Sequence, residues 1–338
     1  PELELPAEIL SANGFVTGGI FRNGWVAANF GFNQGFHVYA GAKPSVTPER
    51  LQRRNPSAHA LTGSDWDVTD GALEFLRSYG HQRFFLYLHF MDVHQYTYDQ
   101  DSARFGNELP DAYDNAILWT DRNVSILMRS LEDLDLLSKT LVVIASDHGE
   151  AFWEHGLEGH GRNLYREVTR TPLIFVLPFR LDPGIVVETP VENVDIWPTL
   201  LDLLGLPAMP GTDGRSLVPL IEAAASPGGT AESDGPRFAE LDRSWGTRNR
   251  VSETLVSVER GDHRMIDNLQ RPEAVELYDT SVDPTEQENL AADRPELVSD
   301  LRAEIERLTS AEKLVDAPQV EIDEMRRAQL NALGYVVK

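Results

Sequence analysis

The sequence predicts an α/β fold: a mostly parallel sheet with helices on both faces, followed by a small C-terminal antiparallel-sheet subdomain. Three observations carry this. Strand-like and helix-like segments alternate over residues 1–222, the order that builds a parallel sheet. Several of the strand segments are continuous apolar runs, the pattern of strands buried on both faces. Past an Ala/Ser/Gly/Pro-rich stretch at 223–235, which reads as a linker, residues 236–338 change to closely spaced strands and a closing helix.

Element by element, Leu5–Asn13 reads as a helix that Gly14 ends before the strand Phe15–Phe21. Asp65–Ser78 is helical, with Val68, Ala72, Phe75 and Leu76 on one face and Gly80 closing it. Phe84–Met91 is a buried strand. Ala112–Leu137 is a long amphipathic helix whose Ile117, Val124, Leu127, Leu131 and Leu134 recur at helical spacing. Leu141–Ser146 and Leu173–Leu177 are further buried strands, and Asp195–Leu204 is a helix ended by Gly205. In the C-terminal subdomain, Thr254–Val258 and His263–Ile266 read as antiparallel strands and Glu296–Leu308 as a helix.

The 338 residues carry a formal charge of -24, with a pI near 4.7. Such an acidic chain is a poor partner for nucleic acid or an anionic membrane, and no apolar run is long enough to span a bilayer. There are no cysteines, which removes disulfides, thiolate metal sites and a cysteine nucleophile from these residues. If the chain handles an anion, it needs a local cation, so the histidines and arginines near aspartates are the place to look.

The strand Leu141–Ser146 runs into Asp147, His148 and Gly149, and ligands in open α/β sheets bind beyond the carboxyl ends of strands. A carboxylate beside an imidazole is half of a site for a hard or borderline divalent cation, and Gly149 allows a sharp turn. The plain alternative is a strand-terminal turn whose Asp caps the next element. Context favours the metal: three of the nine histidines, His148, His155 and His160, fall within thirteen residues, with Glu150, Glu154 and Arg162 among them or close by. The strand Phe84–Met91 likewise ends in Asp92, Val93 and His94, which sequence places on the same sheet edge as Asp147. His89, inside that strand, reads as a core histidine.

These segments are similar to those of a known family. Phe84–Tyr98 (FFLYLHFMDVHQYTY) resembles the sulfatase segment with a substrate-binding histidine, and Ser146–Pro172 (SDHGEAFWEHGLEGHGRNLYREVTRTP) its metal-binding strand end, loop and helix. Gly211–Leu220 (GTDGRSLVPL) resembles its G-x-DGRSL-x-PL turn, and Glu276–Leu290 (ELYDTSVDPTEQENL) its C-terminal signature. The similarity, which runs in order from Leu5 to the last residue, implies an alkaline-phosphatase-like fold and hydrolysis of sulfate monoesters. It implies that Asp147 and His148 are metal ligands, for Ca2+, with Zn2+ or Mn2+ as alternatives. His94 would contact the sulfate and the leaving-group oxygen. His160, or alternatively Arg162, would hold the sulfate from the other side. Glu150, Glu154 and His155 read as supporting loop residues.

The family's nucleophile motif, C/S-x-P-x-R, and its first Asp-Asp ligand pair have no match here. The sequence is therefore expected to lack an N-terminal segment, to bind metal weakly and to be inactive alone, with an uncovered apolar surface. The substrate class is a small-molecule or carbohydrate sulfate ester. Two other functions stay open: a phosphodiesterase or phosphoglycerol-transferase-like phosphoester hydrolase of the same superfamily, and a non-catalytic binding module or relic. Arg243, Trp245 and Arg248 form a basic-aromatic cluster suited to an anionic or sugar-like substrate, with an exposed Arg pair around a core Trp as the alternative.

Overall fold

The computed structural model describes residues 3–45, 51–53, 63–178, 184–226, 228–229, 235–243 and 253–311. It divides into two compact units: the described residues of 3–141 with 177–178, and those of 142–176 with 184–311.

The first unit holds α1 (Pro6–Ala12), β1 (Val16–Phe21), β2 (Val38–Gly41), β3 (Gln52–Arg53), α2 (Asp65–Tyr79), β4 (Phe84–His89), β5 (Thr97–Tyr98) and α3 (Leu109–Asp133). Three strands form a parallel sheet in the order β2-β1-β4, with Val16 opposite Phe84 and Gly18 opposite Val38. Parallel neighbours need a crossover, and α2 supplies it on the way to β4. Its inward stripe is the predicted one: Val68 and Ala72 are fully buried, packing with Ile20, Leu86, Leu88 and Leu127. β4 is half-buried along its whole length, where its apolar sequence predicts burial on both faces. α3 begins three residues before the expected start, because Pro110 sits comfortably in the first turn and Asp111 accepts the Glu108 main-chain NH.

The second unit holds β6 (Val142–Ala145), β7 (Ala151–Phe152), β8 (Glu158–Gly159), α4 (Arg166–Thr169), β9 (Leu173–Val176), α5 (Ile196–Leu203), α6 (Val218–Ala225), β10 (Arg237–Asp242), β11 (Thr254–Arg260), β12 (His263–Asn268), β13 (Glu276–Asp279) and α7 (Pro295–Thr309). Helix α6 takes the first three residues of the expected linker, where an alanine run favours helix and Leu220 anchors it in the core. Strands β10 to β13 form an antiparallel meander. Alternation along β11 sorts its side chains: Val256 and Val258 join Met265, Leu277 and the α7 residues Val298, Leu301 and Ile305. Leu255 faces the other way, with Leu164, Ile266 and Tyr278.

Among the described residues β4 pairs with β1 within the first unit, and within the second β6 pairs antiparallel with β9, Val142 opposite Val176. The connection from β6 to β9 is spent on the β7–β8 hairpin and the single turn of α4, not on a crossover helix, so the chain returns antiparallel.

Candidate functional site

His94 belongs to the first unit, in the turn that follows β4. The backbone there is held by a buried charge cluster. Asp65, the first residue of α2, accepts from Arg22 (2.9 Å), Met91 N (2.7 Å), Asp92 N (3.0 Å) and the Thr120 hydroxyl (3.3 Å). Asp92 accepts from the same Arg22 nitrogen (2.5 Å), from Asp65 N (2.6 Å) and from Trp119 Nε1 (2.8 Å). The two aspartates thus cap each other's backbone around one shared guanidinium, and their carboxylates are fully buried. Burial and the neighbouring Asp92 charge push the Asp65 carboxyl up to about 7, against the opposing pull of Arg22. Sequence reasoning missed Arg22 and Asp65. The only local hint was an arginine just past a strand end.

Asp147 and His148 lie in the second unit, beyond β6. Their turn is fixed on every side: Asn193 donates to Ser146 O, the Ser146 hydroxyl donates to His148 O, and Gly149 N donates to Val168 O. Gly149 is required for a reason other than turn freedom. A Cβ there would lie 2.2 Å from the Glu167 carbonyl oxygen, so only glycine lets α4 approach. The Asp147 side chain is 77 % exposed, which leaves its carboxylate open to solvent. His148 Nδ1 lies 2.8 Å from the Gly149 carbonyl, an acceptor only. Nδ1 therefore donates to that carbonyl, which leaves Nε2 as the ring nitrogen on the Asp147 side, 3.8 Å from its carboxylate.

The β7–β8 hairpin brings in His160. Gly159 and Gly161 both adopt left-handed backbone, φ +84° and +72°, and the histidine between them is delivered against His148, ring centroids 4.0 Å apart. Its Nδ1 lies 3.0 Å from a carboxylate oxygen of Glu150, the residue facing it across the hairpin and buried. Glu150 is thus a direct partner of His160. Two-residue strands give no alternation to read, and the glycines at 156, 159 and 161 were the available signal for the hairpin.

Arg162 is exposed beyond the hairpin. Arg243 forms an ion pair with Glu253 at 3.4 Å, a carboxylate it shares with Arg271; Trp245 and Arg248 lie outside the described residues. At the tip of the hairpin, His155 is bonded to Glu167 (2.9 Å) and to the main-chain oxygen of Glu286 (3.0 Å), with the Tyr165 ring stacked on it at 3.6 Å.

Asp147 and His148 offer a carboxylate and an imidazole side by side, but among the described residues no three His, Cys, Asp or Glu side chains converge to hold a metal ion. No described helix is long and apolar enough to cross a membrane.

Comparison with known proteins gives the family. The sulfatase family model matches residues 5–206, more than half of the chain, and the model for the C-terminal region of N-sulphoglucosamine sulphohydrolase matches 153–311. Arylsulfatase K of Danio rerio is 31% identical over 182 residues, 54% of this chain and 34% of that protein. The chain thus spans about a third of the length of the curated relatives it matches. Among solved structures, Ps i-CgsB in complex with k-i-k-neocarrahexaose superposes with a TM-score of 0.69 at 17% identity, covering 97% of this chain and 78% of that one. The phosphonate monoester hydrolase of Agrobacterium radiobacter superposes with a TM-score of 0.62 at 19% identity, covering 90% and 79%. At such identities the structural matches establish the α/β fold alone, and it is the family model over residues 5–206 that places this chain in the sulfatase family.

Proposed function

We propose that this chain carries the sulfate-handling residues of an enzyme that hydrolyses sulfate monoesters. The observation that carries the reading is the His148–His160 contact, with the His148 ring fixed on the Gly149 carbonyl and His160 anchored by Glu150. In this reading Asp147 and His148 hold a divalent cation, calcium first, with zinc or manganese as alternatives; when bound, the cation supplies positive charge against the sulfate oxygens. His160 binds a sulfate oxygen in an orientation set by Glu150, and His94 stabilises the departing oxygen of the ester. Arg162 is the weaker candidate for the sulfate contact, being exposed and outside the hairpin. A carbohydrate sulfate is the substrate class suggested by the sugar-bound structural neighbour. Arg243, Trp245 and Arg248 stay candidates for contacts to such a sugar.

The test compares an aryl sulfate with an aryl phosphate diester as substrates of the full-length protein, and titrates inorganic sulfate into this chain in the presence of calcium. Losing a hydrogen bond to a charged group, His160→Ala should weaken sulfate binding roughly tenfold to a hundredfold. Unchanged sulfate binding in that variant sinks the assignment. Preference for the diester moves the chemistry to phosphoester hydrolysis; one neighbour in fold is a phosphonate monoester hydrolase, so fold alone does not choose between the two.

A further inference from the structure

The C-terminal turn around Glu286 directs its main chain and side chain at the segment that follows the site. Glu286 is buried in left-handed backbone, φ +55°. Its carboxylate accepts from Arg264 and, at 2.8 Å, from the main-chain NH of Arg166 at the start of α4. Its carbonyl oxygen meets His155 Nε2 at 3.0 Å, while His155 Nδ1 meets Glu167 at 2.9 Å. A carbonyl and a carboxylate accept, so a ring that makes both contacts donates from both nitrogens and is an imidazolium. Gln287 Nε2, 3.1 Å from His155 Nε2, donates to the Thr285 carbonyl, and its second N–H is the donor that a neutral Nε2 can accept in place of its bond to Glu286.

The groups facing this ring are Glu167 and Tyr165 from the α4 side, and Glu286 and Gln287 from the C-terminal turn. Tyr165 lies over the imidazole at an interplanar angle of 10°, placing its π-face against the cation. Burial by itself would lower the imidazole's pKa. The hydrogen bonds that the ring donates to Glu167 and the Glu286 carbonyl, together with the charges of Glu167 and Glu286, outweigh it and hold the group above the ordinary histidine range.

We propose that His155 is a positioning residue, its imidazolium pinning the β7–β8 hairpin that carries His160 to the Glu286 turn and releasing the hairpin when the ring loses its proton. The link to sulfate rests on the sulfatase reading; the clamp itself does not, and its test reads the hairpin directly. With a raised pKa, the clamp is closed below the ordinary histidine value and opens as pH rises through the folded-state value.

Trypsin cleavage after Arg162, quantified by mass spectrometry between pH 6 and 9 and normalised to an unfolded peptide of the same sequence, reports the hairpin. Cleavage in the wild-type chain should rise about tenfold or more across that range, the effect of losing a charge-assisted hydrogen bond. His155→Gln should be cut at the fast rate throughout. Glu167→Gln should shift the transition to lower pH. An NMR titration of the His155 ring in the unmodified chain provides the second measurement, independent of whether either variant folds. A ring that titrates at or below the ordinary value, or a wild-type cleavage profile in His155→Gln, overturns the proposal. Normal sulfate binding by a chain with a pH-independent hairpin would refute the clamp alone; a pH-dependent hairpin in a chain that ignores sulfate would refute the sulfatase reading alone.

Discussion

Replacing Arg22 with methionine removes a guanidinium that two buried carboxylates share while keeping most of the aliphatic stem. The Arg22 side chain is 3 % exposed and the Asp65 and Asp92 carboxylates are fully buried, so solvent screens neither partner. Without the cation, Asp65 and Asp92 face one another in the interior. Removing one partner of a buried pair costs about 3–5 kcal/mol, a large share of the roughly 5–15 kcal/mol that holds a domain folded. The loss has a pH signature. The Asp65 carboxyl is already pushed up to about 7 by burial and by Asp92, with Arg22 opposing. Removing the opposition raises it further, so the folded variant holds a proton more firmly than its unfolded chain does. That contribution is present below the ordinary carboxylate value and is lost as pH rises through the folded value. Urea unfolding of both proteins at pH 5 and pH 8, followed by tryptophan fluorescence, measures it. The variant's deficit relative to wild type should be larger at pH 8. A deficit below about 1 kcal/mol with an unchanged urea slope would refute the reasoning, as would a deficit larger at pH 5.

Two further substitutions probe the scaffold. Gly149→Ala drives a methyl to 2.2 Å from the Glu167 carbonyl and should cost about 1–3 kcal/mol while displacing Asp147 and His148. Thermal unfolding together with calcium titration checks both parts. Asn115 is fully buried, accepts from the main-chain NH of Arg104 and Phe105, and donates to Gly106 O. Asn115→Ala should cost about 1–3 kcal/mol, read as faster amide hydrogen exchange at residues 104 and 105.

Much of this fold is written locally, and what is not has a physical reason. Helix α2 was legible because its stripe, Val68, Ala72, Phe75 and Leu76, repeats at helical spacing over fifteen residues and all four are buried. The pairing of β6 with β9 was not, because a short apolar run such as Val142–Ala145 says that a strand is wanted without naming its neighbour. The position of Asp147 and His148 followed from a general rule about strand ends. The partnership of Glu150 with His160 did not, since it depends on a hairpin whose strands are two residues long. Arg22 and Asp92 are 70 residues apart, and no local pattern marks a contact made only by folding.

The electrostatics of the hairpin bear on how a chain of net charge -24 would hold an anion. Exposed charges beyond about 8–10 Å are largely screened at physiological salt, so the overall charge matters less than the few groups in contact. Each imidazole of the loop has a carboxylate assigned to it: Asp147 at 3.8 Å from His148, Glu150 at 3.0 Å from His160, Glu167 at 2.9 Å from His155. The Glu150 and Glu167 contacts, within 3.0 Å and largely buried, fix the orientation of His160 and His155, whereas Asp147, 77 % exposed and 3.8 Å from His148, is screened by solvent. An imidazole beside a carboxylate carries no net positive charge, so these pairs do not make a cationic patch for an anion. In the proposed reading the attraction enters with a divalent cation at Asp147 and His148, so sulfate affinity is expected to depend on the concentration of that cation.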